Sequence, residues 1–485
     1  MRKLFNLFAA ALVMLAAASC EKNEVLPDNN SEGKIVTLKA SINNGGTKTS
    51  LGRWDDVNSE YPVLWSEGDE IAVIQGSNVY KFTLKHGDGG KTSATFECQL
   101  ADGFNPNGYY IAIYPYDCVS KEESTIKYTI PSNQVYVENS FASGSVPMVA
   151  TGDDVLNFWG LSGALKLQLK GTKTIKSIEV VCTKNISGLI SSSFSRWIED
   201  SSRGNLEFDA TEGKKWVKLD CGDGVELDEN NPTDFIIAIG KQEYNALTII
   251  VTDTDGNRRV LRNKQALDIY AQVILKMPAV NFDPQDGEYF VVEQNGTKTY
   301  YGAGIDVNGN TWAPVNCGYE PMTSESLGYT WGKFYQWNSA NGLGVDGNAV
   351  KFIWSDTQVP GEDKNTLYKN WYNGEKGSSV VWTNNPCPDG WDVPTSTQLK
   401  TLVPDSYNYK QGYGQAGRYY SENALFLPFS GRIDNGGTFS LSTQGGIYWA
   451  KDKFKLTTTS SNNSVGELTF VQEPSCAYTI RCVKQ

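Results

Sequence analysis

Nine cysteines, thirteen tryptophans and one histidine carry most of what this chain could do chemically. A thiol can cross-link, hold a soft metal or act as a nucleophile, and its neighbours decide which. No Cys-x-x-Cys or Cys-x-x-His spacing occurs, so the usual donor sets for structural zinc are missing and no metal is expected. The one histidine, His86, lies in the turn Lys85-His-Gly-Asp-Gly-Gly90 near the N-terminal end and reads as a solvated loop residue. Without a second histidine, no Ser-His-Asp or Cys-His arrangement can be built farther along the chain. His-Glu-x-x-His is absent, as are phosphate-cradling Gly-x-x-x-x-Gly-Lys and a dinucleotide loop of the Gly-x-Gly-x-x-Gly form placed after a strand. A glycosidase-like carboxylate pair depends on spatial separation, so 55 acidic residues neither single one out nor exclude it. The expectation is a chain without cofactor that is not an enzyme.

The most strongly shaped stretch is Cys387-Pro-Asp-Gly-Trp-Asp-Val-Pro-Thr395. Two prolines and a glycine impose a tight non-helical path, and Thr395-x-x-Gln398 has the form of a helix capping box. A cysteine suited to staple this corner is Cys482, in the alternating stretch Tyr478-Thr-Ile-Arg-Cys482. Oxidation of that pair would close a loop of about 95 residues, worth roughly 4 to 5 kcal/mol in the chain-entropy account. Cys317 and Cys476 then remain in the same region. Cys98 with Cys118, and Cys182 with Cys221, are local options nearer the N-terminus, and all four also suit buried thiols. Sequence alone leaves the connectivity open.

Aromatic faces are the other resource, because they stack on sugar C–H faces or anchor protein interfaces at small entropic cost. Trp337, Trp354, Trp371 and Trp382 lie in or beside polar, Gly- and Asn-rich segments and are the ligand-binding candidates. Each also suits the core of a loop-rich fold. Trp331 and Trp391 read as core.

These groups must be positioned by β structure. Ile35-Val-Thr-Leu-Lys-Ala40 and Val79-Tyr-Lys-Phe-Thr-Leu84 alternate, and Ile71-Ala-Val-Ile74 and Tyr109-Tyr-Ile-Ala-Ile-Tyr114 are short apolar runs. The series continues through Ala164-Leu-Lys-Leu-Gln-Leu169, Phe235-Ile-Ile-Ala-Ile239 and Leu247-Thr-Ile-Ile-Val251. Asp253-Thr-Asp-Gly-Asn257 reads as a hairpin turn rather than a calcium loop, since arginines follow where further ligands would be needed. Strands at this spacing favour antiparallel sandwiches. Beyond Asn281-Phe-Asp-Pro-Gln-Asp-Gly-Glu288 the composition shifts, and eight of the thirteen tryptophans follow. The fold class expected is mainly β, and the resemblances given below imply its division into two antiparallel β-sandwich domains over 34–152 and 153–282, then a loop-rich α+β domain over 286–485.

The N-terminus reads as a processing signal. Arg2 and Lys3 precede an apolar run from Leu4 to Ala18, and Leu15-Ala-Ala-Ala-Ser-Cys20 is a small-residue cleavage site. Residues 20–33 are polar and read as a flexible tether. The formal net charge of −12 argues against a phosphate backbone as partner, so nucleic acid is not expected.

Three resemblances attach to these residues. The site at Cys20 resembles a bacterial lipobox, which implies removal of residues 1–19, acylation of Cys20 and an outer-membrane lipid anchor. Leu64-Trp-Ser-Glu-Gly-Asp69, with Thr47-Lys-Thr-Ser50 before it and Phe158-Trp-Gly-Leu-Ser-Gly-Ala-Leu after it, resembles the fimbrillin-like pilins of Bacteroidetes. Cys387-Pro-x-Gly-Trp-x-Val-Pro-Thr395 with Ile480-Arg-Cys-Val483 resembles the Fibrobacter succinogenes major paralogous domain, a C-type-lectin-like module. Trp312-Ala-Pro-Val-Asn316, Gly328-Tyr-Thr-Trp331, Phe429-Ser-Gly-Arg432 and Gly446-Ile-Tyr-Trp449 fall in that family's order. The nearest match to a lectin calcium motif, Glu473-Pro-Ser475, lacks the amide that such a site needs.

Together the resemblances imply a surface lipoprotein acting as a pilus-tip adhesin. The first strand, Ile35 to Ser41, would be lost by cleavage after Lys48 or Arg53. Another pilin subunit would then fill the groove by β-strand addition. Cys482 would pin the strand that such pilins donate, and the 286–485 domain would bind a glycan or a surface protein. The alternative is a glycan-binding lipoprotein that does not polymerise, and behind it stands a carbohydrate-active or formylglycine-generating-like enzyme, since the C-type-lectin-like fold also houses the latter.

Overall fold

The structure is a computed structural model and describes residues 34–42, 50–51, 63–100, 103–122, 125–152, 155–193, 208–244, 247–263, 266–282, 290–293, 297–301, 304–324, 329–337, 342–345, 352–353, 382–403, 406–412, 415–420, 424–434, 439–440, 445–460, 467–471 and 476–485. It is mainly β, as the alternating sequence implies.

The alternating runs near the N-terminus become β1 (Lys34–Ile42), β2 (Glu70–Gln75), β3 (Asn78–Leu84), β4 (Ser93–Leu100) and β5 (Ile111–Tyr114), joined later by β6 (Met148–Thr151) and β7 (Leu156–Gly160). Their order is β1-β7-β6-β5-β2-β3-β4, closing back on β1. The two sheets expected of a sandwich are therefore joined into one barrel, because β1 is hydrogen-bonded on both sides. It runs antiparallel to β4 from Lys34↔Leu100 to Ser41↔Ser93, and parallel to β7 from Ala40↔Leu156 to Ile42↔Phe158. Closure leaves no unpaired edge. Period-two alternation sends Leu38, Ala40 and Ile42 into the core and leaves Ile35, Thr37 and Lys39 outside.

Trp65 fills the centre of this barrel, with ring centroids 4.9 Å from Phe96, 5.3 Å from Phe158 and 5.8 Å from Tyr114, all edge-on. The turn that delivers it is held by its own carboxylates. Asp69, buried, accepts from Ser66 N at 2.6 Å and from the Tyr114 hydroxyl at 3.1 Å. Glu67 accepts from Gly87 N at 2.8 Å and Gly89 N at 3.2 Å, and these bonds hold its carboxyl below the usual glutamate range. Gly68 takes φ +85°, a conformation L side chains rarely adopt.

The second unit has two sheets. Its strands are β8 (Ser162–Lys170), β9 (Thr174–Cys182), β10 (Trp216–Glu226), β11 (Thr233–Gly240), β12 (Leu247–Asp253), β13 (Arg258–Arg262), β14 (Phe290–Glu293) and β15 (Thr297–Tyr300). One sheet runs from the short strand Asn133–Val135 through β10-β9-β12-β13-β14-β15, and the other is β11-β8 with Ile274–Lys276. Leu165 and Leu167 of β8, Ile178 and Val180 of β9, Phe235 and Ile237 of β11, and Ile249 and Val251 of β12 share one core. The expected hairpin joins β12 to β13, and its turn uses the Asp253 carboxylate. Oδ1 accepts from Asp255 N at 3.0 Å and Asn257 N at 2.7 Å, and Oδ2 from Asn257 Nδ2 at 2.9 Å.

Pairing runs across both interdomain positions read from sequence. Residues 133–135 pair with β10, and Gln134 bonds in both directions with the Ala238 backbone at 2.8 and 3.0 Å. β14 continues the large sheet beyond residue 286, in register Arg258↔Val291.

The C-terminal unit uses shorter strands: β16 (Asn310–Trp312), β17 (Trp391–Asp392) and β18 (Val483–Lys484), ordered with Ile305–Val307 as Ile305–Val307, β16, β18, β17. The α-helix among the described residues, α1 (Ser396–Leu402), buries Leu399 and Leu402. This unit packs on the outer face of the large sheet. Val181 of β9, Ile250 of β12 and Val260 of β13 share a core with Tyr301, Trp391 and Ile480. Glu179 of β9 accepts from Ser324 N at 2.8 Å, and the Arg262 guanidinium stands 5.2 Å over the Tyr319 ring.

Candidate functional site

The corner at 387–395 has the geometry its residue types dictate. Gly390 takes φ +81°, and Trp391 N returns to Pro388 O at 3.0 Å, closing the turn that swings the Trp391 ring inward. Trp391 meets Tyr301 edge-on at 5.2 Å. Thr395 then caps α1. Gln398 N donates to Thr395 Oγ1 at 3.2 Å and Thr395 N to Gln398 Oε1 at 2.9 Å, the reciprocal pair of a capping box.

Cys387 and Cys482 are bonded, with Cα atoms 6.0 Å apart. The partner strand is held independently of that bond. β18 lies between β16 and β17, in register Trp312↔Val483 and Asp392↔Val483. Beside it Arg481, buried, donates to Asn316 Oδ1 at 2.9 Å, Ala313 O at 3.0 Å and Phe426 O at 2.9 Å. A backbone segment with both neighbours in place, a buried guanidinium and a covalent tie cannot leave without dismantling the unit.

The second pair read from sequence is not formed: Cys317 and Cys476 are free thiols. Cys317 instead sits beside the existing disulfide, its sulfur within 4.8 Å of both disulfide sulfurs. Cys98, Cys182 and Cys221 are also free, and the last two are buried in the second unit's core. The Cys182–Cys221 bond is not formed, and Cys98 carries no disulfide.

Two of the four tryptophans proposed for ligand contact are core. Trp337 is 1% exposed and Trp382 is 4% exposed, and their rings lie 5.1 Å apart against Trp449. Neither offers a face to a ligand. The reason is tertiary: Trp449 comes from the strand Gly445–Trp449, and the polar loops fold their indoles over it. Trp354 and Trp371 lie outside the described residues, as do Cys20, Lys48, Arg53 and Glu473-Pro-Ser475. His86 is exposed, 3.6 Å from Glu67.

Aromatic surface does exist where it was not sought. Trp159 of β7 is 43% exposed, and Phe470, on the strand Glu467–Phe470, is 46% exposed beside Phe454 and the Lys453 ammonium. For Trp159 the signal was present in the sequence. In Leu156-Asn-Phe-Trp-Gly160 alternation buries Leu156 and Phe158, so Trp159 must point out.

No family profile and no curated protein matches the chain. Several solved structures are similar in fold. A proposed cell adhesion protein from Bacteroides ovatus is 12% identical with a TM-score of 0.32, over 55% of this chain and 98% of that one. A fimbrial protein from Bacteroides ovatus is 11% identical with a TM-score of 0.22, over 94% and 99%. The tip fimbrial protein Mfa3 from Porphyromonas gingivalis, with C-terminal truncation, is 9% identical with a TM-score of 0.19, over 48% and 81%. Likenesses at these scores define no family for the chain. No helix among the described residues is long and apolar enough to cross a membrane.

Proposed function

We propose that the chain is a cell-surface fimbrial adhesin subunit, anchored through acylated Cys20, which accepts a neighbouring subunit's strand at its barrel and contacts a glycan or surface protein through its C-terminal unit. The observation that carries this reading is the position of β1. It is the strand that closes the barrel, it lines the core with alternate residues only, and the segment after it contains Lys48 and Arg53. Cleavage there would free β1 and leave a groove between β4 and β7, with apolar pockets at the Leu38, Ala40 and Ile42 positions and backbone groups on both sides. An extended strand of the same alternation completes such a groove.

Other features agree with this assignment. The Trp65–Asp69 turn, which carries the resemblance to fimbrillin-like pilins, is the packing centre of that barrel. β18 is internal and covalently tied, so it is not available to a neighbour. A subunit that accepts a strand without giving β18 belongs at the end of an assembly. Ligand contact falls to Trp354 and Trp371, since Trp337 and Trp382 are used in the core.

The test is to recover the chain from cell-surface assemblies and sequence its N-terminus. A start just after Lys48 or Arg53 supports strand exchange. A start at Cys20 in all assembled material would leave the non-polymerising glycan-binding lipoprotein as the better reading.

A further inference from the structure

Cys317 is held against the Cys387–Cys482 disulfide from both of its ends. Its sulfhydryl donates to Pro386 O at 3.1 Å, on the residue before Cys387, and its backbone N donates to Ile480 O at 2.8 Å, two residues before Cys482. The three sulfurs lie within 4.8 Å of one another. Around the thiol stand the Tyr335 hydroxyl, donating at 3.2 Å, the Tyr301 hydroxyl and, farther out, Lys333, which is paired with Glu320 at 3.7 Å. No other free thiol among the described residues is placed with a disulfide in this way.

We propose that these three cysteines form an internal thiol–disulfide exchange site that presents Cys387 as a reactive thiol to soft electrophiles. The Cys317 thiolate attacks Cys482 Sγ, the Cys317–Cys482 bond forms, and the Cys387–Cys482 bond breaks. The electron pair leaves on Cys387 Sγ, which takes up the proton that Cys317 gave to solvent. One disulfide and one thiol are present before and after, so no oxidant or reductant is consumed.

Attack on Cys482 rather than Cys387 follows from burial. Cys482 is fully buried, whereas Cys387 lies on a corner whose following residues Asp389 and Gly390 are exposed, so the departing charge is nearer water on Cys387, and the better-solvated thiolate is the better leaving group. The exchange also keeps the strand at 480–484 pinned, because Cys482 is bonded in both states and Cys317 is its backbone neighbour already. Cys387, on a corner with exposed neighbours at Asp389 and Gly390, is the sulfur that can turn outward.

Burial pushes the Cys317 thiol up to about 11, with the Tyr335 and Tyr301 hydroxyls and Lys333 pulling the other way. Only a small thiolate fraction exists near neutrality, so exchange is slow there and speeds up about tenfold per pH unit well below that value.

The test uses the full chain without reductant, incubated with N-ethylmaleimide at pH 7, 8 and 9, then acid-quenched and mapped by peptide mass spectrometry. Expected is a Cys387 adduct that grows about tenfold per pH unit, matched mole for mole by a peptide joining Cys317 to Cys482. Cys317→Ser should lower the Cys387 adduct at least tenfold while Cys98 and Cys476 still label. The wild-type map decides the matter even if that variant fails to fold, because only exchange generates the Cys317–Cys482 peptide. An adduct on Cys482, an adduct on Cys317 with the original disulfide intact, equal Cys387 labelling in wild type and Cys317→Ser, or no Cys387 adduct after a day at pH 9 would each overturn the proposal. None of these outcomes bears on strand exchange at the barrel.

Discussion

Trp337, Trp382 and Trp449 meet with ring centroids 5.1, 5.4 and 6.1 Å apart, all edge-on, and removing any one opens a void its neighbours cannot close. Trp337→Ala should therefore cost about 3 to 5 kcal/mol of stability, read as a lowered urea midpoint. If stability is unchanged and only ligand binding is lost, Trp337 is a contact residue after all. Sequence left this side chain open between ligand contact and the core of a loop-rich fold, because local polarity does not report burial when loops rather than strands supply the core. Trp65 was legible for the opposite reason. Its turn residues have a fixed geometry, and Gly68 and Asp69 demand it locally. The partner of Cys482 was legible too, while the place of Cys317 was not, since three sulfurs meet only after residues 317, 387 and 482 have been folded together.

Helix α1 and strand β1 show the same division between local and distant causes. The capping box at Thr395 is written in four consecutive residues and forms as written. Thr395→Ala should destabilise the protein by about 1 kcal/mol, and thermal unfolding against Thr395→Ser, which keeps an acceptor, separates the cap from side-chain volume. The alternation of β1 is equally plain, and its burial follows it. Barrel closure was not readable, because it rests on pairing residues 40–42 with 156–158, and nothing in either stretch names the other. Trp159 lies in that second stretch, and its exposure is the outward half of the alternation that buries Phe158.

At the scale of the molecule, the large sheet is buried on both faces, by Val180 and Ile249 toward the second unit's core and by Val181, Ile250 and Val260 toward the C-terminal unit. A chain ending at residue 288 should thus expose an apolar face, bind a hydrophobic-surface dye that the full chain does not bind, and associate at micromolar concentration. If it stays monomeric and dark, the shared core contributes little. Ligand screens are accordingly best made on the whole chain. Composition shifts beyond residues 281–288, but composition does not tell whether strands on the two sides belong to one sheet, as β13 and β14 do. The placement of β18 between β16 and β17 also sets an order in time. Arg481 reaches back to Ala313, 168 residues earlier, so the hairpin of 305–307 with 310–312 gains its next strand only once residues 483–484 are available. The barrel and the second unit can acquire their cores from earlier segments, whereas the small sheet of the C-terminal unit is complete only when its last strand is in place.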